Sequence, residues 1–332
     1  MKASALILTT LFMAAPAAGQ TVANANANVD ASRVGTIVIA HGGSDDWNAP
    51  VLSLSEAART GGPVEVALLM GEAAPRHRFQ DAVARLVERG VERIVVVPLL
   101  ASSHSGHYEQ IRWLAGATDV LDENMRHHLH MAGIERSPLD VGIVVTPAID
   151  ASMEIATILS ERALNLADEA GQQALYIVGH GPNSAEDHAG WMANLRPVAD
   201  SVARLTGFRD VKIGLVRDDA PPSVRAEAVL AIRETIELQR ELTGRPVVVV
   251  PVLISKGYVS ERLRRDLAGL DIAYDAEGLL PHPELSRWIE RRVREASALE
   301  ARSASAAAAG AAAHSAAGHA AGTRSGGAHA GH

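Results

Sequence analysis

The sequence predicts an α/β protein in which two duplicated, doubly wound parallel-sheet domains face each other across a cleft. Runs rich in valine, isoleucine and leucine recur without polar alternation, which is typical of strands buried on both faces of a parallel sheet. Segments with helical periodicity separate these runs, as α/β folds require. The second half repeats the order of the first, and the first strand of each half ends in a His-Gly pair, at His41 and at His180.

The composition narrows the possible functions. The chain has 332 residues, enough for two domains, and 47% of them are hydrophobic. A net charge of -8 argues against nucleic acid as a partner, because phosphate binding favours a basic surface. The chain has no cysteine, which excludes disulfides and thiolate metal sites. Histidine, carboxylate, backbone or water ligands must hold any metal, and they suit divalent cobalt, nickel, zinc or iron.

The N-terminus has the pattern of a secretory signal peptide over residues 1–18. Lys2 supplies the positive charge, an apolar run follows, and Ala15-Pro16-Ala17 fits a small-residue cleavage site. The apolar run is too short to span a bilayer, although an uncleaved anchor is the alternative. We therefore expect an exported protein, periplasmic or secreted, with no stable membrane insertion after cleavage. Residues 19–32 are predicted to be a low-complexity spacer.

The first domain is predicted over residues 33–170. Its expected strands are Val34–Ala40, Val64–Met70, Arg93–Leu100 and Val141–Val145. A helix over Phe79–Arg89 ends before Gly90, which is a suitable C-cap, and a second helix over residues 151–170 ends before Gly171.

The second domain is predicted over residues 171–298 and repeats this order. Its expected strands are Leu175–Gly179, Val211–Val216, Val247–Ile254 and Asp271–Ala276. Its expected helices are Trp191–Thr206, Ser223–Leu242, Ser260–Leu267 and Glu284–Ala298.

Two further stretches support the duplication. The run from Val95 to Leu100 aligns with the run from Val248 to Leu253, and this alignment places Pro98 opposite Pro251. The stretch 67–75 aligns with 213–221, so that both end in Ala-Pro. Matches of this length indicate duplicated domains rather than a solenoid, which needs more and shorter copies.

Residues 299–332 are mostly alanine, glycine, serine and histidine, a composition that cannot bury a core and predicts disorder. This tail carries four irregularly spaced histidines: His314, His319, His329 and His332. A flexible tether of this kind raises the local concentration of loosely held metal, so metal buffering is favoured over an inert tail.

His41 and His180 are the first candidate functional residues. Each follows a buried strand, so each lies at the carboxyl edge of a parallel sheet, where open α/β folds bind ligands. A single histidine there more often caps a turn. Two histidines at equivalent positions favour a metal-handling or acid–base site.

A second pair, His104 and His107, follows the third strand of the first half and lies on the same sheet edge as His41. Imidazoles from neighbouring strand ends can hold one ion and leave positions open for exchange. Neutral imidazole is also a base near pH 7. A serine-rich loop with incidental histidines is the alternative.

The second half replaces this pair with Gly257 and Ser260. The sequence therefore predicts a metal centre of His41 with His104, although either His104 or His107 could face the ion. His180 would face it across the cleft as a third ligand, a proton acceptor or a relic of duplication. Lys256 would place positive charge near an anionic ligand.

Several acidic residues lie near these edges, where they could escort a cation or accept protons, although a solvated loop charge is the more common role of any one of them. They are Asp45, Asp46, Glu72, Asp187, Asp218 and Asp219.

Together these residues resemble the class II tetrapyrrole chelatases, specifically the CbiX-type sirohydrochlorin cobaltochelatases and their sirohydrochlorin ferrochelatase relatives. The matching pieces run in family order over residues 33–297. In the first half they are His41-Gly-Gly-Ser, Glu72-Ala-Ala-Pro75, Val-Val-Val-Pro98-Leu-Leu and Ser-Ser-His104-Ser. In the second half they are His180-Gly-Pro-Asn183 with Trp191, Asp219-Ala-Pro221 and Gly278-Leu-Leu-Pro-His282-Pro.

The resemblance implies a two-lobed enzyme of the lyase type, in cobalamin or porphyrin biosynthesis, that holds a sirohydrochlorin-like tetrapyrrole in the cleft. It implies insertion of a divalent metal, Co²⁺ first and Fe²⁺ or Ni²⁺ otherwise, with the metal as substrate. Carried over by position, it assigns metal-ligand and base roles to His41 and His104, with His180 as the duplicated counterpart. To these the sequence adds His107 as a candidate metal ligand, and Glu72 with His41 and His180 as candidate catalytic residues. The sequence has no GxxxxGK phosphate loop, so no nucleotide cofactor is expected.

This chain departs from the family pattern in three ways. Met70-Gly71 precedes Glu72 where relatives have an aromatic-Leu pair, the second half lacks the later histidine, and most relatives lack an export signal. The export signal and the tail support an alternative function, an exported non-enzymatic protein that binds metal or tetrapyrrole.

Overall fold

The computed structural model describes residues 33–299 and 302–303. The predicted signal peptide, the spacer and the four tail histidines lie outside the described residues. The described chain forms two four-stranded sheets, both entirely parallel and flanked by helices, which confirms the predicted fold class.

The first sheet has the strand order β2-β1-β3-β4. Its strands are β1 (Val34–Ala40), β2 (Val64–Leu68), β3 (Arg93–Leu99) and β4 (Gly142–Val145). Its half contains helices α1 (Asp45–Ala57), α2 (Phe79–Glu88), α3 (Gly106–Leu114), α4 (Glu123–Met131) and α5 (Met153–Leu166). The two central strands, β1 and β3, are almost entirely buried, as their unbroken apolar sequences predict.

The second sheet has the equivalent order β6-β5-β7-β8. Its strands are β5 (Ala174–Gly179), β6 (Asp210–Leu215), β7 (Val247–Val252) and β8 (Ile272–Tyr274). Its helices are α6 (Ala185–Thr206), α7 (Pro222–Thr243), α8 (Tyr258–Asp266) and a final helix, α9, over residues 283–299. No helix within the described residues combines the length and the hydropathy of a membrane span.

The two halves exchange helices. Helix α5 follows the first sheet in the chain, yet it packs against α6 and β7 of the second half. Helix α9 returns to the first half, where Glu290 accepts a hydrogen bond from the backbone N–H of Arg59 at 2.9 Å. Arg291 of α9 binds both oxygens of Glu154 on α5 at 2.8 Å. The predicted boundary after residue 170 therefore falls within an interlocked structure.

Helices α1, α3 and α4 form in stretches where no helix was predicted from the sequence. Each is short or interrupted by proline, and each begins at a side-chain cap: Ser44, Ser105 and Asp122 accept hydrogen bonds from backbone N–H groups of the first turn. Helix α6 begins at Ala185 instead of the predicted Trp191, since Ser184 caps it in the same way.

The strand register corrects one part of the predicted internal alignment. Pro98 pairs with Ile39 of β1 and Pro251 pairs with Val178 of β5, as the duplication predicts. The stretch 67–75 is shifted by one residue, because Ala67 pairs with Ile39 whereas Gly214, not Ile213, pairs with Val178. Counted from these pairs, the position of Glu72 in the first half corresponds to Asp219 in the second.

Candidate functional site

His41 and His180 stand in the same local structure at the ends of β1 and β5. Each Nδ1 lies 2.7 Å from the carbonyl oxygen of the following glycine, Gly42 or Gly181. A carbonyl oxygen only accepts hydrogen bonds, so Nδ1 carries the proton and Nε2 keeps its lone pair. This is how outer hydrogen bonds usually fix a metal-binding histidine.

His107 is brought to His41 by the start of α3. The two rings lie 4.6 Å apart between centroids, edge to face. Its Nδ1 is 2.8 Å from Oε1 of Gln110, whose Nε2 donates to the carbonyl of Met125 at 2.6 Å and so fixes the orientation of the amide. His107 therefore also keeps Nε2 free as a ligand atom.

His104 has different surroundings. It is exposed, and its ring lies against Gly190 on α6, where an added Cβ would come within 2.4 Å of the His104 Nδ1. Among the described residues the structure brings His107 into ring contact with His41, whereas His104 meets the second half. The predicted pairing of His41 with His104 is therefore not the one that the geometry favours.

Asp219 is the carboxylate of this site. Its Oδ2 lies 3.4 Å from Nε2 of His180, and its charge also acts on both His41 and His107. Its neighbour Asp218 is 5% exposed and accepts hydrogen bonds from Arg225 and Arg262 at 2.9 and 3.1 Å. Three potential metal ligands, on His180, Asp218 and Asp219, have ligand atoms within 4.8 Å of one another. The Asp218 carboxylate, however, is already engaged by the two arginines.

The predicted catalytic Glu72 is exposed and has no hydrogen bond or ion pair within the described part of the chain. The sequence named Asp219 among several loop acids and in the Asp219-Ala-Pro221 turn, but assigned it no catalytic role. The one-residue shift between the two copies concealed its correspondence with Glu72. Lys256 lies 3.7 Å from the carboxylate of Glu277, an exposed ion pair.

Trp47 is a site residue that the sequence did not single out. It stands edge-on to His41 with ring centroids 6.4 Å apart, in the first turn of α1. A Cβ added to Gly257 of the second half would come within 3.0 Å of its Cδ1. The indole thus bridges His41 and the opposite half, a placement that depends on packing between halves.

His41 and His107 are electrically neutral at physiological pH. Burial lowers the pKa of His41 to about 4, and the neighbouring His107 adds to this effect. Burial likewise lowers the pKa of His107. Protons therefore compete weakly with a metal ion for these nitrogen atoms, as a site that binds cations near neutral pH requires.

The lowered pKa of His41 makes the metal-free protein less stable in acid. Between its ordinary value of 6.5 and about 4, the unfolded chain binds a proton at His41 that the folded chain does not. The free energy of unfolding should therefore fall by about 2 to 3 kcal/mol between pH 7 and pH 4.5. Urea unfolding of the wild type and of His41→Gln checks this, because carboxylate effects cancel in the difference. If the free energy of unfolding had the same pH dependence in the two proteins, the lowered pKa of His41 would be contradicted.

Comparison with known proteins agrees with this architecture. A family model described as CbiX matches residues 35–166. The structure of SirB from Bacillus subtilis with Fe³⁺ has a TM-score of 0.56 at 16% identity, over 79% of this chain and 95% of that one. The sirohydrochlorin chelatase SirB from Bacillus subtilis subspecies spizizenii in complex with cobalt has a TM-score of 0.53 at 16% identity, over 79% and 94%. At this identity the structural likeness concerns the fold.

A search of proteins with curated descriptions gave no significant match. The family match covers β1 to α5 and includes His41 and His107, and the structural likeness extends over both halves. Residues 35–166 therefore match the CbiX family model, and the two halves together share the fold of the SirB structures.

Proposed function

We propose that this protein is a metallochelatase that inserts a divalent metal into a sirohydrochlorin-like tetrapyrrole without a nucleotide cofactor. The observation that carries the proposal is the set of three imidazoles from both halves, His41, His107 and His180. Each has Nδ1 committed to an oxygen acceptor and Nε2 available. A neutral, open set of nitrogen ligands can hold a divalent ion and release it to a stronger ligand.

The surroundings of the histidines support a division of roles. Insertion removes two protons from pyrrole nitrogens while the ion loses its earlier ligands. His41, with a pKa of about 4, is a poor proton acceptor near neutral pH but a good ligand. Once it has accepted a proton, His180 forms an ion pair with Asp219, whose Oδ2 lies 3.4 Å from its Nε2. We infer that His41 and His107 hold the ion, and that His180 with Asp219 accepts protons.

The chemistry of the donor set limits the choice of metal. Imidazole donors from His41 and His107, without sulfur, suit Co²⁺, Ni²⁺, Fe²⁺ and Zn²⁺. The related SirB structures contain Fe³⁺ and cobalt. We propose Co²⁺ as the first substrate to test, followed by Fe²⁺ and Ni²⁺.

Purified protein with Co²⁺ or Fe²⁺ and sirohydrochlorin should show metal insertion, followed by absorbance, above the spontaneous rate. His180→Gln and Asp219→Asn should each lower kcat about a hundredfold, the scale of lost proton transfer, and change Co²⁺ affinity only a few-fold. His130→Ala, on the exposed side of α4, is the matched control and should keep wild-type kinetics. A wild-type rate equal to the spontaneous rate would refute the enzyme.

The predicted export signal and the histidine-bearing tail support a second candidate, an exported non-enzymatic protein that binds metal or tetrapyrrole. Calorimetric titration with Co²⁺ separates the two. A buffer loses tight binding when residues 301–332 are deleted and keeps it in His41→Ala. A chelatase shows the opposite pattern. Export itself is tested by sequencing the N-terminus of the protein recovered from a cell envelope fraction, which should begin near residue 19.

A further inference from the structure

We propose that Asp150 is a positioning residue that holds His107 against His41 and ties this pair to the second half of the molecule. The inference rests on the proposed function, because it concerns how the metal-holding histidines are arranged. Asp150 touches neither histidine. It acts on the segment between β3 and α3, residues 100–105, which leads directly into the helix that carries His107.

The carboxylate of Asp150 accepts three hydrogen bonds. Its Oδ1 receives the backbone N–H of Ser103 at 2.7 Å and the amide of Asn194 at 2.8 Å. Its Oδ2 receives the hydroxyl of Ser103, also at 2.7 Å. Short bonds to an ionised acceptor are stronger than neutral ones, so both the backbone and the side chain of Ser103 are firmly placed.

Backbone groups around Asp150 hold the same segment. We call these bonds, together with those of the Asp150 carboxylate, the clamp. Asp150 N–H donates to the carbonyl of Ala101 at 3.2 Å, and Ala148 N–H donates to Oγ of Ser103 at 2.9 Å. Asp150 has φ of +47°, a left-handed conformation that aspartate tolerates better than most residues. Such a conformation persists where the surrounding contacts determine it, and functional sites often contain one.

The clamp belongs only to the half that has the second histidine. Leu280 N–H donates to Ile254 in the second half as Asp150 N–H donates to Ala101 in the first, so Leu280 occupies the position of Asp150. The counterpart of Ser103 is Lys256. With neither a carboxylate nor a hydroxyl, the second copy cannot form these bonds, and its later position holds Ser260 in place of His107.

Asn194 makes the clamp a link between the halves. It lies on α6, four residues after Gly190, which contacts the ring of His104. Residues four apart lie on one face of a helix, so α6 meets the histidine-bearing segment at two points on the same face. A displacement of α6 would therefore be transmitted to this segment.

The test measures Co²⁺ binding by titration and by the visible ligand-field spectrum of bound Co²⁺, which reports coordination geometry. Asp150→Ala should weaken Co²⁺ binding by about 10-fold and change the spectrum. This is the lower end of the cost of losing a direct outer partner of a metal ligand, because Asp150 acts on His107 only through the intervening segment. Asn194→Ala, which removes one bond, should change both in the same direction by a smaller factor. Asp150→Asn tolerates the left-handed backbone and should recover part of the affinity.

Glu154→Gln is the matched control, since it weakens a contact between α5 and α9 that involves none of the histidines. It should lower thermal stability and leave Co²⁺ affinity and spectrum unchanged. If Asp150→Ala does not fold, the Co²⁺ affinity and spectrum of Asn194→Ala decide whether the inference holds. Wild-type affinity and spectrum in the folded variants would overturn the inference, as would a wild-type protein whose Co²⁺ binding does not depend on His41. A wild type that binds Co²⁺ through His41 but inserts no metal would instead refute only the enzymatic function.

Discussion

Replacing His41 with alanine is expected to abolish metal insertion and to weaken Co²⁺ binding by at least about a hundredfold. The loss of a ligand should exceed the 10- to 100-fold cost of losing an outer-shell partner. His41 is the residue on which the site converges, since it contacts both His107 and Trp47 and is affected by the charges of His180 and Asp219. Calorimetric titration and the absorbance assay measure the two effects.

The paired substitutions His107→Ala and His104→Ala make this prediction more specific. His107→Ala should lose Co²⁺ affinity nearly as strongly as His41→Ala, because its ring is 4.6 Å from that of His41. His104→Ala should stay within a few-fold of the wild type, since its ring packs on Gly190. If His104→Ala lost more Co²⁺ affinity than His107→Ala, the result would support the pairing of His41 with His104 that the sequence favoured.

Gly42→Ala is expected to destabilise the protein by more than about 4 kcal/mol, which is exceptional for one methyl group. Gly42 has φ of +89°, and an added Cβ would lie 2.2 Å from the backbone oxygen of Met70. No side-chain rotation relieves a contact with backbone. The change would also displace the carbonyl that fixes Nδ1 of His41. Urea unfolding measures the loss.

Gly90→Ala is the control for this substitution. Gly90 has φ of +80°, but an added Cβ would meet nothing within 4 Å. Only the left-handed backbone penalty remains, about 1 to 2 kcal/mol. If the two variants lose the same stability, the close approach between Gly42 and Met70 is not what restricts position 42.

Much of the fold could be predicted because buried parallel strands have a simple sequence pattern. The apolar runs of β1, β3, β5 and β7 predicted the central strands of both sheets, and the order of elements predicted the duplication. The same argument placed His41 and His180 at equivalent sheet edges. These conclusions depend only on local periodicity and on the rule that parallel strands share an edge.

The remainder of the site depends on features that periodicity does not encode. His104 and His107 are equally plausible in sequence; the capping of α3 by Ser105 sets the helix start and so the direction of His107. Asp219 was concealed by a one-residue difference in loop length. Trp47 and Asp150 act across the boundary between the halves, where contacts come from distant parts of the chain.

The exchange of helices makes the folding of each half depend on the other. Helix α5 has its partners in the second half, and Trp288 of α9 is fully buried although its helix returns to the first half. Deleting either half would therefore expose to water the apolar face of a helix that belongs to the other half. The fold therefore depends on both halves, although only the first carries a histidine at the position of His107.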